Sequence, residues 1–307
     1  MNREPDPDAP PAAAGLALPA TVAVVGASSQ IGQALLERLR ESGYRAAPIA
    51  RSATAVQGIT AHVYDRAEGG FTPHLAGAEA LITLAPLPTI GDSIEIARRL
   101  GARRIIAFGS PGRFSKRDSS SPLEREFVEL QTRAERDLAD GCEASGIGWT
   151  LLRPTMIYGA GNDLNVAFIG RVIDRLGVFP IPFGARGLRQ PVHVDDLAIA
   201  CVSALRLGAG IGQAYNLGGG EQLPFPELVR RIFLASGRRP RLLPVPLFAY
   251  RLAIALARRI PGAAFVRAEM VDRMFVDLIA DNGPAARDLG YAPRGFSPIG
   301  PGPGATR

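Results

Sequence analysis

The residues that point most directly to chemistry in this chain are the glycines of the segment GASSQIG, residues 26–32. A β-branched run over residues 21–27 leads into it, and apolar residues at helical spacing follow over residues 31–42, which is the setting of a dinucleotide-binding turn. Gly26 permits the tight turn, and Gly32 lets the helix pack close to the strand. The N–H groups at the start of that helix would face a pyrophosphate.

The polar residues inside the turn are expected to contact the phosphates. Ser29 stands where such turns often carry a middle glycine, but it can still bring backbone N–H groups to a phosphate, and its hydroxyl can donate as well. We assign the remaining contacts to Ser28, Gln30 and Ile31. The alternative is a plain strand-to-helix turn, because glycine-rich turns also occur without a ligand.

The end of the second predicted strand decides between the two nicotinamide cofactors. NAD specificity usually requires an Asp or Glu there to bind the ribose 2′-hydroxyl. Residues 44–52 contain no acid, and Arg51 and Ser52 stand at the strand end. A guanidinium suits a 2′-phosphate, so the pattern favours NADP over NAD. The alternative is a solvated arginine in an arginine-rich chain.

The elements that must position these residues alternate regularly along the first half of the chain. Strands are predicted over residues 21–27, 44–51, 61–65, 80–85, 103–109 and 149–153, with helices between them, one of which opens on a capping box at Ser121-Pro122-Leu123-Glu124. This alternation predicts an α/β fold with a doubly wound parallel sheet of Rossmann type. Later helices are predicted over residues 163–176, 195–207, 225–236, 247–259 and 266–280.

The domain organisation follows from where this alternation loosens. We expect a disordered tail, with no signal peptide, over residues 1–19, a dinucleotide-binding domain over residues 20–160, and a loose tail over residues 297–307. A smaller C-terminal substrate lobe is expected over residues 161–188 and 218–296. Residues 189–217 are expected to return to the main sheet.

Three later segments resemble the extended and atypical branches of the short-chain dehydrogenase/reductase superfamily, the NAD-dependent epimerase/dehydratase group. They are LRPTMIYG (152–159), QPVHVDDLA (190–198) and YNLGGG (215–220). The resemblance implies an oxidoreductase or epimerase whose lobe binds a small-molecule substrate, such as a nucleotide sugar. It also implies that Pro154 and the residues after it lie beside the nicotinamide. From the residues alone, His193 is expected to hold local structure and Asp195 to cap a helix.

The catalytic pair of that family, Tyr-x-x-x-Lys, is absent from this sequence. Matching Arg133-Ala134-Glu135 to the family's Lys-Ala-Glu puts Glu129 at the tyrosine position and Arg133 at the lysine position. One helical turn apart, the two side chains are expected to pair, which makes Glu129 a poor acid, while Arg133 could hold the cofactor ribose. The candidates that remain for catalysis are Ser110, Tyr158 and Lys116.

Two classes of function therefore stay open. The first is an oxidoreductase or epimerase with an unusual proton donor, and the second is a cofactor-binding sensor or assembly protein without turnover. The intact turn fits both, the missing pair favours the second or an unusual mechanism, and the predicted substrate lobe favours the first.

Composition narrows the remaining classes. The net charge is +6, but Lys116 is the only lysine and no basic run carries interleaved aromatics, which argues against nucleic-acid binding. The three histidines are far apart and the two cysteines have no metal-ligand spacing, which argues against a metal site. Two cysteines expected to stay reduced indicate a cytoplasmic protein. Residues 247–260, LFAYRLAIALARRI, form either a core helix or one that contacts an anionic membrane peripherally. The sequence leaves the oligomeric state open.

Overall fold

In the computed structural model of the chain, the described residues are 15–50, 55–65, 70–72, 74–75, 77–159, 161, 163, 165–257 and 269–298. They divide into two compact units. The first comprises the chain up to Pro154 together with Asp195–Leu217 and Asn282–Ala292. The second comprises Thr155–Val194, Gly218–Asp281 and the chain from Pro293 onward.

The strands are numbered in chain order: β1 Thr21–Val25, β2 Arg45–Ala50, β3 Ala55–Val56, β4 Ile59–Thr60, β5 His62–Asp65, β6 Gly70–Thr72, β7 Ala80–Thr83, β8 Arg104–Phe108, β9 Gly148–Pro154, β10 Ile157–Tyr158, β11 Phe179–Pro182, β12 Leu188–Arg189, β13 Val192–His193, β14 Gln213–Leu217, β15 Leu223–Pro224 and β16 Leu242–Val245. The α-helices are α1 Gln30–Glu41, α2 Ile90–Leu100, α3 Gly112–Ser115, α4 Pro122–Glu143, α5 Val166–Leu176, α6 Val194–Arg206, α7 Phe225–Ala235, α8 Leu247–Ala257, α9 Glu269–Asp272 and α10 Gly283–Leu289. Short 3₁₀ turns cover Leu87–Thr89, Gly208–Gly210 and Arg273–Phe275.

The first unit is built on one large sheet with the strand order β14-β9-β8-β7-β1-β2-β5-β6. All its neighbouring strands run parallel except the antiparallel pair of β5 and β6. The predicted parallel α/β sheet is thus confirmed. The chain leaves β1 toward β2 on one side and later continues through β7 on the other. This reversal opens a crevice at the carboxyl ends of β1 and β7, where ligands bind in such sheets.

Strands β7 and β8 are mostly apolar along their length, which explains why they lie near the centre of the sheet. Every residue of β7 and β8 is buried, as expected of strands covered on both faces. One face is covered by α2 and α4, whose apolar stripes pack on the strands and on each other. The helices approach closely where Gly141 of α4 faces Ile94 of α2, since a Cβ at Gly141 would lie 2.8 Å from the Ile94 side chain. The scaffold below the crevice is therefore firmly packed.

The second unit has its own core and small two-stranded sheets. Tyr158, Ile173 and Phe233 are among its buried apolar residues, with helices α5 and α7 packed against each other. The pairs are β10 with β13, β11 with β16, and β12 with β15. Arg189 is buried in this unit and donates to the carbonyl oxygens of Leu188 and Val276 at 2.7 and 2.9 Å.

Several boundaries differ from those predicted. The division falls after Pro154 instead of residue 160, the chain returns to the first unit at Asp195, and it rejoins the sheet at β14. Residues 282–292, expected in the substrate lobe, belong to the first unit, because the Tyr215 hydroxyl bonds the Asp288 carboxylate at 2.9 Å. Residues 15–19, expected in the tail, include the buried Leu16, whose N–H donates to the Leu205 carbonyl at 2.8 Å. Residues 1–14 and 299–307 lie outside the described residues.

The helix predicted over residues 266–280 is wrong beyond Phe275. Backbone pairing in the second unit overrides its helical pattern, because the Leu278 N–H donates to the Leu188 carbonyl at 2.9 Å. The Asp277 carboxylate accepts the Leu188 N–H at 2.8 Å, which holds the segment extended. Residues 266–268 lie outside the described part of the chain.

Candidate functional site

The glycine turn joins β1 to α1 in a geometry that leaves backbone donors for an anion. The Ser29 N–H donates to the Gly26 carbonyl at 2.9 Å and closes the turn. The Ser29 hydroxyl caps α1 by accepting the Gly32 N–H at 3.1 Å. Among the described residues, the N–H groups of Gln30 and Ile31 have no acceptor. These two donors, at the positive end of the α1 dipole, suit a phosphate.

The hydrogen bonds of Ser29 and Ser28 differ from those expected. The Ser29 N–H is already used within the turn, so a phosphate contact by Ser29 would be made by its hydroxyl proton, which stays available to donate. Ser28 is exposed, and its carbonyl accepts from the Gln33 side chain at 3.4 Å.

Both glycines of the turn are sterically required. Gly26 has φ +79°, a conformation that L side chains rarely adopt, and a Cβ there would lie 3.1 Å from Leu84. A Cβ at Gly32 would lie 2.5 Å from the Ala27 carbonyl oxygen. The close approach of α1 to the strand end is therefore possible only with glycine at position 32.

A cavity of about 630 Å³ opens beside the turn, within the first unit. Its lining comes from the carboxyl ends of three strands and includes Gly26, Ser28, Ala50 and Leu84, with Tyr64 from β5. Its mostly apolar wall next to free N–H groups fits a nucleoside attached to a phosphate. Arg51 and Ser52 follow directly after β2 but lie outside the described residues. Pro154 ends β9 and is buried, opposite Leu217 of β14.

Helix α4 carries the positions that were matched to the family's catalytic pair. The residues that it buries are not the ones expected from that match. Glu129 and Arg133 are both exposed, and the described residues show no ion pair between them. The ion pair predicted between these two side chains is therefore wrong, and the positions matched to Tyr and Lys do not face the sheet. The partly or fully buried stripe is Phe127, Gln131 and Glu135, spaced i, i+4 and i+8.

Gln131 is the polar member of this stripe that the sequence interpretation missed. Its side chain is only 7% exposed, and its Oε1 has no hydrogen-bond partner among the described residues. A buried amide oxygen without a donor is costly, so it is a position where a ligand hydroxyl would be stabilising. The signal in the sequence was the helical spacing to Leu138, a buried apolar residue that lies seven residues, about two turns, after Gln131.

Ser110 and Lys116 come together at the carboxyl end of β8. The Ser110 hydroxyl accepts the Gly112 N–H at 3.1 Å. A Cβ at Gly112 would lie 3.0 Å from that hydroxyl oxygen and 3.5 Å from Cε of Lys116, so both side chains flank one glycine. The Lys116 ammonium lies 4.2 Å from the centre of the Phe127 ring and 3.6 Å from a Glu124 carboxylate oxygen.

This placement also corrects the predicted capping box. Ser121 is the N-cap of α4 and Pro122 its first residue, but the Ser121 side chain makes no capping bond. The Glu124 carboxylate lies against Lys116 instead. A carboxylate and an aromatic face both favour positive charge, so the chain's only lysine is held as a partly buried cation beside Ser110.

Tyr158 lies in the core of the second unit, which argues against its assignment as a proton donor. Its side chain is 1% exposed, and its hydroxyl accepts the Ser297 N–H at 3.3 Å. Its ring makes edge contacts with His193 and Phe296. His193 packs against Gly159, a local structural role. Asp195 is the second residue of α6, and its carboxylate binds Arg38 at 2.6 and 2.8 Å.

Other classes of site gain no support from the described residues. Cys142 and Cys201 are buried and unpaired, and burial raises the pKa of the Cys142 thiol to about 12. Within the described ranges, no group of three His, Cys, Asp or Glu side chains is placed to hold a metal ion. The same ranges contain no helix that is long and apolar enough to cross a membrane.

Comparison with known proteins supports the motif-based resemblance. The chain is 26% identical over 182 residues to the UDP-glucose 4-epimerase of Vibrio cholerae, covering 59% of this chain and 52% of that protein. It is 26% identical over 155 residues to the mitochondrial NADH dehydrogenase (ubiquinone) 1 alpha subcomplex subunit 9 of Arabidopsis thaliana, covering 47% and 38%. The chain thus spans about half the length of the first relative and less of the second. No model of a known protein family matches it.

Solved structures share the fold over nearly the whole chain. An NADPH-dependent quinone oxidoreductase (QOR2) from Escherichia coli has a TM-score of 0.65 at 22% identity, covering 90% of this chain and 96% of that one. MoeE5 in complex with UDP-glucuronic acid and NAD has a TM-score of 0.67 at 18% identity, covering 90% and 94%. The sequence matches and the shared fold bear out the resemblance: the chain is similar to epimerases and reductases of the short-chain dehydrogenase/reductase type.

Proposed function

We propose that the chain is an NADP(H)-dependent oxidoreductase or epimerase that acts on a carbonyl or hydroxyl group of a nucleotide sugar or a related small molecule. The observation that carries this proposal is the glycine turn. It combines two N–H donors without acceptors, a glycine that admits no Cβ, and an adjoining cavity of about 630 Å³. NADP is preferred to NAD because Arg51 and Ser52 follow β2 without an acid.

The cofactor, when bound, supplies hydride transfer at its nicotinamide ring. The chain's own contribution falls to the residues at the end of β8 and on α4. We assign Lys116 and Ser110 as donors to the substrate oxygen, because both flank Gly112 and Lys116 is held as a cation by Glu124 and Phe127. The unpartnered Oε1 of Gln131 would accept a ligand hydroxyl. These contacts would stabilise negative charge that develops on the substrate oxygen.

Turnover should depend on Lys116 in a way that can be measured. Nucleotide sugars and quinones would be screened with NADPH and NADP⁺ by absorbance at the nicotinamide band. With an accepted substrate, Lys116→Met should lower kcat by about 10²–10³-fold, the usual size of one lost donor to a developing oxyanion. Glu126→Gln, an exposed change on α4, serves as the control and should leave kcat unchanged. An unaltered kcat in Lys116→Met would contradict the assignment.

The second candidate function is a cofactor-binding subunit without turnover. One observation favours it: in the buried stripe of α4, Phe127 and Gln131 have no ionisable side chain, and Glu135 is held in ion pairs with Arg153 and Arg113. The relative from Arabidopsis thaliana, named as a subunit of NADH dehydrogenase, adds support. Tight cofactor binding with no turnover on any screened substrate would favour this candidate over the first.

A further inference from the structure

A buried group of charges next to Ser110 and Lys116 is not accounted for by hydride chemistry. The Glu135 carboxylate on α4 receives two guanidinium groups, Arg153 from β9 and Arg113 from α3. Arg153 donates to its two oxygens at 2.9 and 2.6 Å, and Arg113 forms an ion pair with it through Oε2. Both guanidiniums also lie over the Phe114 ring, with centres 5.3 and 5.1 Å away.

The charges in this group do not balance. Two guanidiniums share one carboxylate, which leaves one positive charge in excess where solvent access is low. Burial lowers the pKa of Arg113, and repulsion from Arg153, Arg136 and Arg117 lowers it further. Arg117 and Arg136 are exposed and form no ion pair with any described residue. The group is therefore short of anions in the described protein.

The position of Arg113 connects this excess charge to the candidate site. It lies on α3, whose residues Gly112–Ser115 stand between Ser110 and Lys116 in the chain. The Arg153 and Glu135 side chains are 10% and 7% exposed, whereas Arg113 is 28% exposed. Arg113 is therefore the member of the group that a ligand can reach. The more buried Glu135 pairs with it, and Arg153 pairs with Glu135 in turn.

We propose that Arg113, supported by Arg117 and Arg136, forms an anion subsite that binds a phosphate or carboxylate group of the substrate. Resting on the proposed function, this inference narrows the substrate to an anionic molecule whose carbonyl or hydroxyl group faces Ser110 and Lys116. A guanidinium fork matches either anion through two parallel hydrogen bonds. The Glu135 ion pair orients the fork, so the guanidinium is ordered before the ligand arrives.

The test measures anion binding without turnover. Full-length protein saturated with NADPH, so that the glycine turn is occupied, would be titrated calorimetrically with inorganic phosphate and, separately, with malonate at constant ionic strength. The two arms distinguish a phosphate from a carboxylate subsite. Arg113→Gln removes the central donor, and Arg117→Gln removes an exposed charge without touching Glu135. Arg45→Gln is the matched control, an exposed arginine at the amino end of β2.

Wild type is expected to bind at least one anion saturably, with affinity reduced about tenfold or more in Arg113→Gln, because a charge-assisted bond is lost. Arg117→Gln should weaken binding less, and Arg45→Gln should not change it. Equal affinity in wild type, Arg113→Gln and Arg117→Gln, or no saturable heat with either anion, would overturn the inference. Failure to bind NADPH, with anion binding retained, would instead count against the proposed function alone.

Discussion

A methyl group added at position 32 would lie 2.5 Å from the Ala27 carbonyl oxygen, closer than real Cβ contacts. We therefore expect Gly32→Ala to lower the free energy of unfolding by about 1–3 kcal/mol, the usual cost of forced overpacking, and to weaken cofactor binding. Thermal or urea unfolding measures the first effect. Gly91→Ala is the matched control, because Gly91 lies in α2 with no atom within 4 Å of its added Cβ.

Gly91→Ala should be neutral or stabilise the protein by about 0.5–1 kcal/mol, since alanine is the better helix residue. If Gly32→Ala were as stable as Gly91→Ala and bound cofactor normally, the close helix–strand contact would not be needed.

The preference between the two cofactors is tested at Arg51. Calorimetric titration should show that wild type binds NADPH more tightly than NADH. Arg51→Ala should lose about 1.5–3 kcal/mol of NADPH affinity and little NADH affinity, because one charge-assisted contact to the 2′-phosphate disappears. Equal affinity of wild type for the two cofactors would refute the preference.

Single residues of the turn were predictable because their roles are local. Gly26 and Gly32 follow from the backbone conformation that any strand–turn–helix of this kind needs. Gln131 was not predictable, because its importance depends on which face of α4 meets the sheet. The interpretation followed the sequence match of Arg133, Ala134 and Glu135, which is two residues out of register with the buried face. Burial, set by tertiary packing, decides that register.

Helix α8 exposes large apolar side chains, which argues against the reading of its sequence as a core helix. Phe248 and Leu252, one turn apart, are 76% and 59% exposed, and Arg251 next to them pairs with Asp272 at 2.6 Å. We expect weak, salt-sensitive association with anionic vesicles, because each arginine near such a surface contributes about 1 kcal/mol. Arg258 and Arg259 belong to the predicted segment but lie outside the described residues.

Co-sedimentation with liposomes containing phosphatidylserine, at low and at high salt, measures this association. Phe248→Ser together with Leu252→Ser should abolish it, whereas Leu234→Ser, an equally exposed leucine on α7, should not. Absence of sedimentation even at low salt would exclude the membrane reading of this helix.

The architecture of the whole chain was largely predictable, because alternating strands and helices leave few arrangements other than a doubly wound sheet. The assignment of late segments was not. Residues 282–292 return to the first unit through the bond between Tyr215 and Asp288, a contact between distant parts of the chain. Likewise, Val276 to Ala280 stay extended through pairing with residues 188–190. Long-range pairs of this kind leave no local pattern.

That the GASSQIG turn binds the dinucleotide is tested most directly by titrating wild type and Ser29→Asp with NADPH and following nicotinamide fluorescence. Aspartate caps helices as well as serine does, so the variant should keep its melting temperature. Its carboxylate would, however, face the pyrophosphate, and like charges repel. We expect saturable binding by wild type and at least about a hundredfold loss in Ser29→Asp, equivalent to about 2.7 kcal/mol. Unchanged NADPH affinity in the folded variant, or no binding by wild type, would contradict the assignment of the turn.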